Sequence, residues 1–306
     1  MAHGAGVIRG AALAAVVIAV GVVVEAGTVV GSTGGFTTAI PLRVPAYRGI
    51  EPGIVLGYSS QSRGGFAGVG WSLGGFGTVE RASVGLGSPR YDATDVFVLG
   101  GMELLPCPAP NPSPSCTAGG THTTKAESYA KIRFESGSNT WAVWSKGGVK
   151  TVYSPVFQTP SGTLVWGQSS VTDPHGNVVS YTWACPAGED CYPDTVSFPP
   201  YAVKLYRETR TDVTSVATGH AGTLRFTRQR LRSVLVSYGG APVRAYRLSY
   251  ALSPVTGRSL LVSVQEYGDD VAIDAAGLIT GGIALPPHVF TYQTDPLAQS
   301  FQRWGE

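Results

Sequence analysis

PGIVLGYSSQSRGGFAGVGWSLGGFGTVERASVGLGSPRYDATDVFVLGGMELLP, residues 52–106, interleaves short apolar runs, lone aromatics and turns. Glycines at 64, 65, 68, 70, 74, 75 and 77 give the backbone the freedom that tight bends require. No apolar residues recur at helical spacing after them, so the helix that a phosphate-cradling glycine loop leads into is missing. The pattern argues against a nucleotide site and for β-strands joined by tight turns. Within it, Val96 to Leu99, the turn Gly100-Gly101 and Met102 to Leu105 predict a hairpin with both faces apolar.

The same alternation continues outward. Trp141 and Val143, then Lys146-Gly147-Gly148 and Val149 to Tyr153, predict a second hairpin. Val179, Tyr181 and Trp183 share one strand face, with Ser180 and Thr182 on the other, so one side is expected to be buried and one wet. Val234, Val236 and Tyr238 repeat that pattern. In VRAYRLSY (243–250), Tyr246, Leu248 and Tyr250 face one way and Arg247 and Ser249 the other. Beyond the N-terminus no stretch is apolar at i, i+3, i+4 and i+7, which predicts an all-β chain with little helix. Three parts are expected after residue 26: a glycine-rich opening to about 106, a cysteine- and proline-rich excursion over 107–124, and a strand-rich part over 125–306.

Length and composition fit this class. The 306 residues include 41 Gly and 21 Pro, and only 14% of them are charged. A net charge of +2 and the absence of a long basic run give no reason to expect a nucleic-acid partner. At the start, Arg9 precedes an uncharged apolar run from Ala11 to Val24, followed by Val24-Glu25-Ala26. This run of about 14 residues is short of the roughly 20 that span a bilayer as a helix, so residues 1–26 read as a secretory signal. Retention as a membrane anchor over residues 9–30 is the alternative, and only that reading gives the chain a membrane contact.

Export fits the even set of cysteines at 107, 116, 185 and 191. They lie in CPAPNPSPSC and CPAGEDC, polar loop-like segments, and 107–116 with 185–191 is the simplest of the three connectivities. Zinc is the competing reading, but structural zinc sites use closer cysteine pairs than these.

The segments PGIVLGYSS, GVGWSL, Arg81 and PRYDATDVFVLGGMELLP, in that order, resemble the N-terminal region of the SpvB family, which also opens the B components of insecticidal Tc toxins. The resemblance extends through WAVWSKGGVKTVYS, DPHGNVVSYTW and RLRSVLVSYGGAPVRAYRLSYALSPVTGRSLLVSVQEYG to LPPHVFTYQ, roughly residues 38–293. It implies a curved sheet or partial β-shell related to Rhs/YD-repeat cocoons. The expected partners are further β-structure of the same or another chain, such as a propeller or Rhs-type shell, together with a toxin cargo. It implies structural roles for Gly68, Gly70, Trp71, Ser72, Leu73, Arg81, Pro89, Arg90, Tyr91, Asp92, Asp95, Gly176, Asn177 and Tyr181. SpvB-like proteins carry ADP-ribosyltransferase chemistry in a separate C-terminal domain whose glutamate-containing motif is not matched here. Relatives continue into propeller and repeat regions, so the chain is expected to be either a piece of a longer product or a reduced form, with strand edges left for others to complete.

Read residue by residue, no catalytic or cofactor site is expected. Histidines at 3, 122, 175, 220 and 288 have no metal-motif spacing. His175 sits in Asp173-Pro174-His175-Gly176-Asn177, a turn sequence. Ser72, in Gly70-Trp71-Ser72-Leu73-Gly74, is outside the strand-to-helix elbow of a serine nucleophile. Asp92, Asp95, Glu266, Asp269, Asp270 and Asp274 lack a calcium-loop ladder and read as solvated turn carboxylates, with Asp92 bracing its own loop. Two other readings stay open: Trp71, Trp141, Trp144, Trp166 and Trp183 as a glycan- or receptor-binding surface against core packing, and carboxylates converging in space as a hydrolase site.

Overall fold

The computed structural model describes residues 28–30, 34–62, 64–108, 110, 113–219 and 224–292. The 1–26 leader, His3 and His220 lie outside them.

Strands β1 (Thr28–Val30), β2 (Gly35–Pro41), β3 (Val55–Ser59) and β4 (Trp71–Gly74) form one antiparallel sheet in that order. The glycine-rich opening then changes sheet. Gly75 has φ +94°, and a Cβ there would lie 2.7 Å from the Gly53 carbonyl oxygen, so only glycine makes this bend. Beyond it come β5 (Thr78–Ala82), β6 (Val96–Leu99), β7 (Met102–Pro106), β8 (His122–Thr124), β9 (Lys131–Glu135), β10 (Thr140–Trp144), β11 (Lys150–Thr159) and β12 (Gly162–Thr172), each paired antiparallel with the next. β12 also pairs with β5, through Val165↔Glu80, Trp166↔Val79 and Gly167↔Thr78. The eight strands therefore close into a barrel, a finer arrangement than the sequence reading foresaw.

A barrel of this size has an interior that side chains just fill. Here the filling is Val79, Leu104, Ile132, Trp141, Tyr153 and Trp166. The Trp141 and Trp166 rings meet nearly perpendicular at 6.2 Å. The hairpins expected over 96–105 and 141–153 are the β6–β7 and β10–β11 pairs. The 107–124 excursion is the β7–β8 connection and holds a single helical turn, α1 (Pro114–Thr117), which is the only helix among the described residues.

β12 is a fork. Its earlier residues pair with β5, whereas Ser170, Val171 and Thr172 pair with β13 (Val178–Ala184). From there the sheet runs through β14 (Tyr192–Phe198), β15 (Tyr201–Ala217), β16 (Leu224–Tyr238), β17 (Ala241–Leu252) and β18 (Ser259–Tyr267). Its inner face packs on β1–β4. Leu56, Tyr58 and Trp71 from one sheet meet Val179, Val203, Leu205, Leu231, Val234, Tyr246 and Leu261 from the other. The alternation read in β13, β16 and β17 points these residues inward as expected, except that Tyr238 at the end of β16 is exposed and meets the Tyr201 ring at 5.2 Å.

The outer face carries a small hairpin, β19 (Ala272–Ile273) with β20 (Ile279–Gly281), which buries Val271 and Ile279 against Ala245 and Tyr267. Ser233 Oγ donates to Gly277 O at 2.6 Å and ties it down. Strand edges were expected to be left open, but the edge of β18 is occupied by the chain itself. Ala284 bridges Tyr267, Leu285 N donates to Glu266 O, β21 (His288–Val289) pairs with Ser263 and Val264, and Phe290 N donates to Val262 O. At the far end Val69 N donates to Ser259 O at 2.9 Å. A bare strand edge templates pairing with other chains, and here it is covered.

Candidate functional site

The motif residues gather at two places where the barrel, the sandwich and the long β15–β16 hairpin meet. The first is the loop 89–95 over the barrel rim. Asp95 Oδ1 accepts from Arg90 N at 2.8 Å, and its Oδ2 accepts from Tyr91 N at 2.7 Å and from Arg81 Nη1 at 3.3 Å. Its side chain is 0% exposed. Asp95 is thus a buried partner of Arg81, and its reading as a solvated turn carboxylate is corrected. The charge is tolerated because every contact is a hydrogen-bond donor, one of them cationic. Arg81 Nε donates to Thr163 O at 3.1 Å, and its guanidinium stacks 5.1 Å from the Phe97 ring centroid. Tyr91 takes φ +64°, and its hydroxyl donates to Thr218 O at 2.6 Å. Asp92 braces the loop as expected, accepting from Thr94 N at 2.8 Å.

The second place is the glycine loop 64–70. Gly68 has φ +96°, and a Cβ there would lie 2.8 Å from Ser259 O. Gly70 has φ +78°, with the Tyr58 ring 2.4 Å from the Cβ position. Both glycines permit a close approach that no side chain allows. Beneath the loop, the β15–β16 pairing jumps from Thr209↔Gln229 to Thr214↔Thr227, so β15 bulges over residues 210–213. The bulge turns Arg210 and Asp212 inward. Arg210 donates to both Asp212 oxygens, at 2.9 and 2.6 Å, and to Gly65 O at 3.1 Å. Ser259 N and Oγ donate to Asp212 at 2.7 and 2.6 Å. Burial alone would raise the Asp212 pKa, but the Arg210 and Ser259 hydrogen bonds outweigh it and hold the carboxyl well below its ordinary value.

The remaining motif residues serve the frame. Trp71 Nε1 donates to Tyr292 Oη at 2.9 Å, and that hydroxyl donates to Leu261 O at 2.7 Å, which joins the two sheets. Ser72 is exposed on β4 with its hydroxyl on Gly57 O, and Leu73 packs at the core margin. Pro89 is buried, Arg90 is exposed, and Tyr181 meets the Phe76 ring edge-on at 5.8 Å. In the turn 173–177, Asp173 accepts from His175 N, Asn177 N and Asn177 Nδ2, and Gly176 takes φ +83°.

Cys107–Cys116 and Cys185–Cys191 are disulfides, which removes the thiolates that a zinc site would use. Glu127, which the sequence did not single out, anchors the first disulfide loop. It accepts from the Ser113 and Ser115 hydroxyls and from Tyr129 N, and these bonds pull its pKa down to about 2. Among the described residues, no three His, Cys, Asp or Glu side chains come together as a metal site, and no helix is long and apolar enough to cross a membrane. Trp71, Trp141 and Trp166 are buried, so three of the five tryptophans weighed as a glycan surface are core.

Sequence reasoning missed Arg210, Asp212, Ser259, Thr218 and Tyr292. Only one signal pointed to any of them: RETRTD (207–212) places charges in the middle of a long strand.

A closed barrel continuous with a sandwich whose signature residues brace loops defines a class of β-structural module. Residues 30–140 match the family described as Salmonella virulence plasmid 65kDa B protein, SpvB. It is 26% identical over 189 residues to the mono(ADP-ribosyl)transferase SpvB of Salmonella typhimurium and of Salmonella dublin. That match covers 52% of this chain and 31% of the relative, so the chain corresponds to about a third of that protein's length. In fold it is similar to the N-terminal domain of the effector SpvB from Salmonella typhimurium strain LT2, with TM-score 0.62 and 17% identity over 76% of this chain and 98% of that one. It is similar also to the TcdB2-TccC3 structure, with TM-score 0.65 and 20% identity over 92% of this chain and 17% of that one. The Photorhabdus luminescens Tc holotoxin pore gives TM-score 0.63 and 20% identity over 83% of this chain.

Proposed function

We propose that this chain is an exported, non-catalytic wall segment of a toxin-related β assembly, acting through its shape and surfaces in assembly or delivery. The observation that carries this reading is the use of the ionisable groups at the two loop-bracing places. Arg81, Asp95, Arg210 and Asp212 are all engaged by internal partners, and the last three serve to fix loops. Chemistry on a substrate needs such groups presented to it. The correspondence of 92% of this chain to 17% of the TcdB2-TccC3 chain supports a segment that belongs with more β-structure. Apolar side chains outside the core give such structure something to cover: Val213, Val216 and Leu224 near the β15–β16 tip, and Ile283 and Leu285 beside the β18 edge. Two local disulfides support an oxidising destination.

Two measurements on the full chain test the reading. Hydrogen exchange with an apolar-surface dye is expected to find rapid exchange at the β15–β16 tip, and dye binding there and at the exposed side chains of Ile283 and Leu285. Complete protection with no dye binding would contradict a wall segment awaiting its neighbours. Incubation with labelled NAD and candidate acceptor proteins is expected to give no transfer, and transfer by this chain would overturn the non-catalytic assignment.

A further inference from the structure

A cleft of ≈ 260 Å³ opens beneath the glycine loop, between Gly64–Phe66, the residues after the Cys185–Cys191 bridge and the start of β16. Three arginines line it, Arg210, Arg225 and Arg258. Arg210 is matched by Asp212. The other two are not matched to the same degree. Arg225 Nε stands 3.5 Å from Asp190 Oδ1, and Arg258 Nε stands 3.7 Å from Asp212 Oδ2. A separation of 3.7 Å is too long for a hydrogen bond, and Arg258 Nε is buried without any hydrogen-bond partner. Asp212 cannot readily turn toward it, because both its oxygens already accept from Arg210 and Ser259. A buried donor without an acceptor is costly, so the cleft holds a cationic group lacking its complement.

We propose that this cleft binds a carboxylate, with Arg225 and Arg258 as its cationic partners. Guanidinium forks match the planar two-oxygen geometry of a carboxylate. The three lining arginines are paired with two carboxylates, Asp190 and Asp212, which leaves one positive charge for the ligand. Thr214 lines the wall and adds a hydroxyl donor, whereas the Thr227 hydroxyl is already turned to Asp190 Oδ2 at 3.4 Å. The volume is below the roughly 300–1,000 Å³ of cavities that take drug-sized ligands, which suits a group the size of one acidic side chain or a small dicarboxylate. The same chemistry can come from a free acid or from an aspartate or glutamate of a polypeptide. The inference goes beyond the wall-segment reading and does not depend on it.

Heteronuclear NMR on the full chain tests it, with glutarate and an end-blocked Gly-Glu-Gly tripeptide as probes. Either probe is expected to shift the Gly65 and Phe66 amides and the Arg225 and Arg258 side-chain signals. In the double variant Arg225→Gln/Arg258→Gln both affinities are expected to fall at least tenfold, while Arg232→Gln, outside the cleft, leaves them unchanged. Response to glutarate alone identifies a free acid as the ligand source, and an equal or stronger response to the tripeptide identifies an acidic residue of a polypeptide. Either result supports the carboxylate site. Absence of shifts with both probes at millimolar concentration overturns it without any variant. Shifts that persist in a double variant whose Trp71 and Tyr58 signals are native overturn it as well, and if that variant fails to fold, Arg258→Gln alone is read by the same criterion.

Discussion

Arg210 and Asp212, two residues apart on one strand, bind each other through two hydrogen bonds while each side chain is only 2% exposed. Residues i and i+2 on a regular strand share a face but stand too far apart for a forked pair. The bulge at 210–213 supplies the extra chain that folds them together. The pair then fixes the glycine loop through Gly65 O and the start of β18 through Ser259. Removing one partner of a buried pair leaves an uncompensated charge and costs about 3–5 kcal/mol. Asp212→Asn is therefore expected to lower unfolding free energy by that order in urea titration. Glu103→Gln, at the exposed Lys125–Glu103 contact of 3.6 Å, is expected to change it by less than about 1 kcal/mol.

Gly219 is in van der Waals conflict with any side chain. A Cβ there would stand 2.1 Å from Pro89 O, and φ is +98°. Gly239 also has positive φ, +55°, but nothing lies within 4 Å of its Cβ position. Alanine at Gly239 is expected to cost about 1–2 kcal/mol, from backbone strain alone. At Gly219 the 89–95 loop must also shift, adding about 1–3 kcal/mol of overpacking. Thermal unfolding of the two variants checks the order. The Gly219 variant is further expected to weaken the Tyr91 hydroxyl bond to Thr218 O, so Tyr91→Phe should cost less in that background than alone.

The disulfides close loops of sequence separation 9 and 6. Loop entropy for such short circuits corresponds to about 2–3 kcal/mol each. Cys185→Ala/Cys191→Ala is expected to lower the unfolding midpoint modestly while leaving the circular dichroism of the folded chain unchanged. Loss of the β signal would show that the bridge holds the sheet rather than its own loop.

These contacts show where sequence reading stops. Strand alternation made β13, β16 and β17 legible, because burial on one face imposes a period of two. Gly-Gly turns made β6–β7 and β10–β11 legible because tight hairpins demand positive φ. Barrel closure was not legible. It depends on Val79 meeting Trp166 across a separation of 87 positions, and no local period encodes that register. Asp95 was read as a turn carboxylate because its neighbours in sequence are turn formers, while its cation comes from Arg81 on another strand. Arg210 and Asp212 were missed since a bulge leaves no signature beyond charges out of pattern.

Stability is expected to fall with acid in two stages. His122 lies in a ring cage, 4.8 Å from Trp141 and 5.8 Å from Phe97, and burial lowers its pKa from 6.5 to about 4. A histidine whose folded pKa is lowered binds protons more readily when unfolded. Its contribution is complete above pH 6.5 and is lost as pH falls toward 4. The carboxyls titrate lower. For Asp194, burial is outweighed by hydrogen bonds from Lys204, Arg207 and Thr195, which bring its pKa to about 2, and the serine bonds to Glu127 do the same. Their contributions are complete above the unfolded values of 3.8 and 4.5 and disappear as pH falls toward 2. Urea midpoints are thus expected to decline between pH 6.5 and 4 and again below about pH 4. His122→Phe, which removes the titrating ring, should flatten the first decline and leave the second. If the variant and the parent fall in parallel between pH 6.5 and 4, His122 is not the group that opens the barrel to acid.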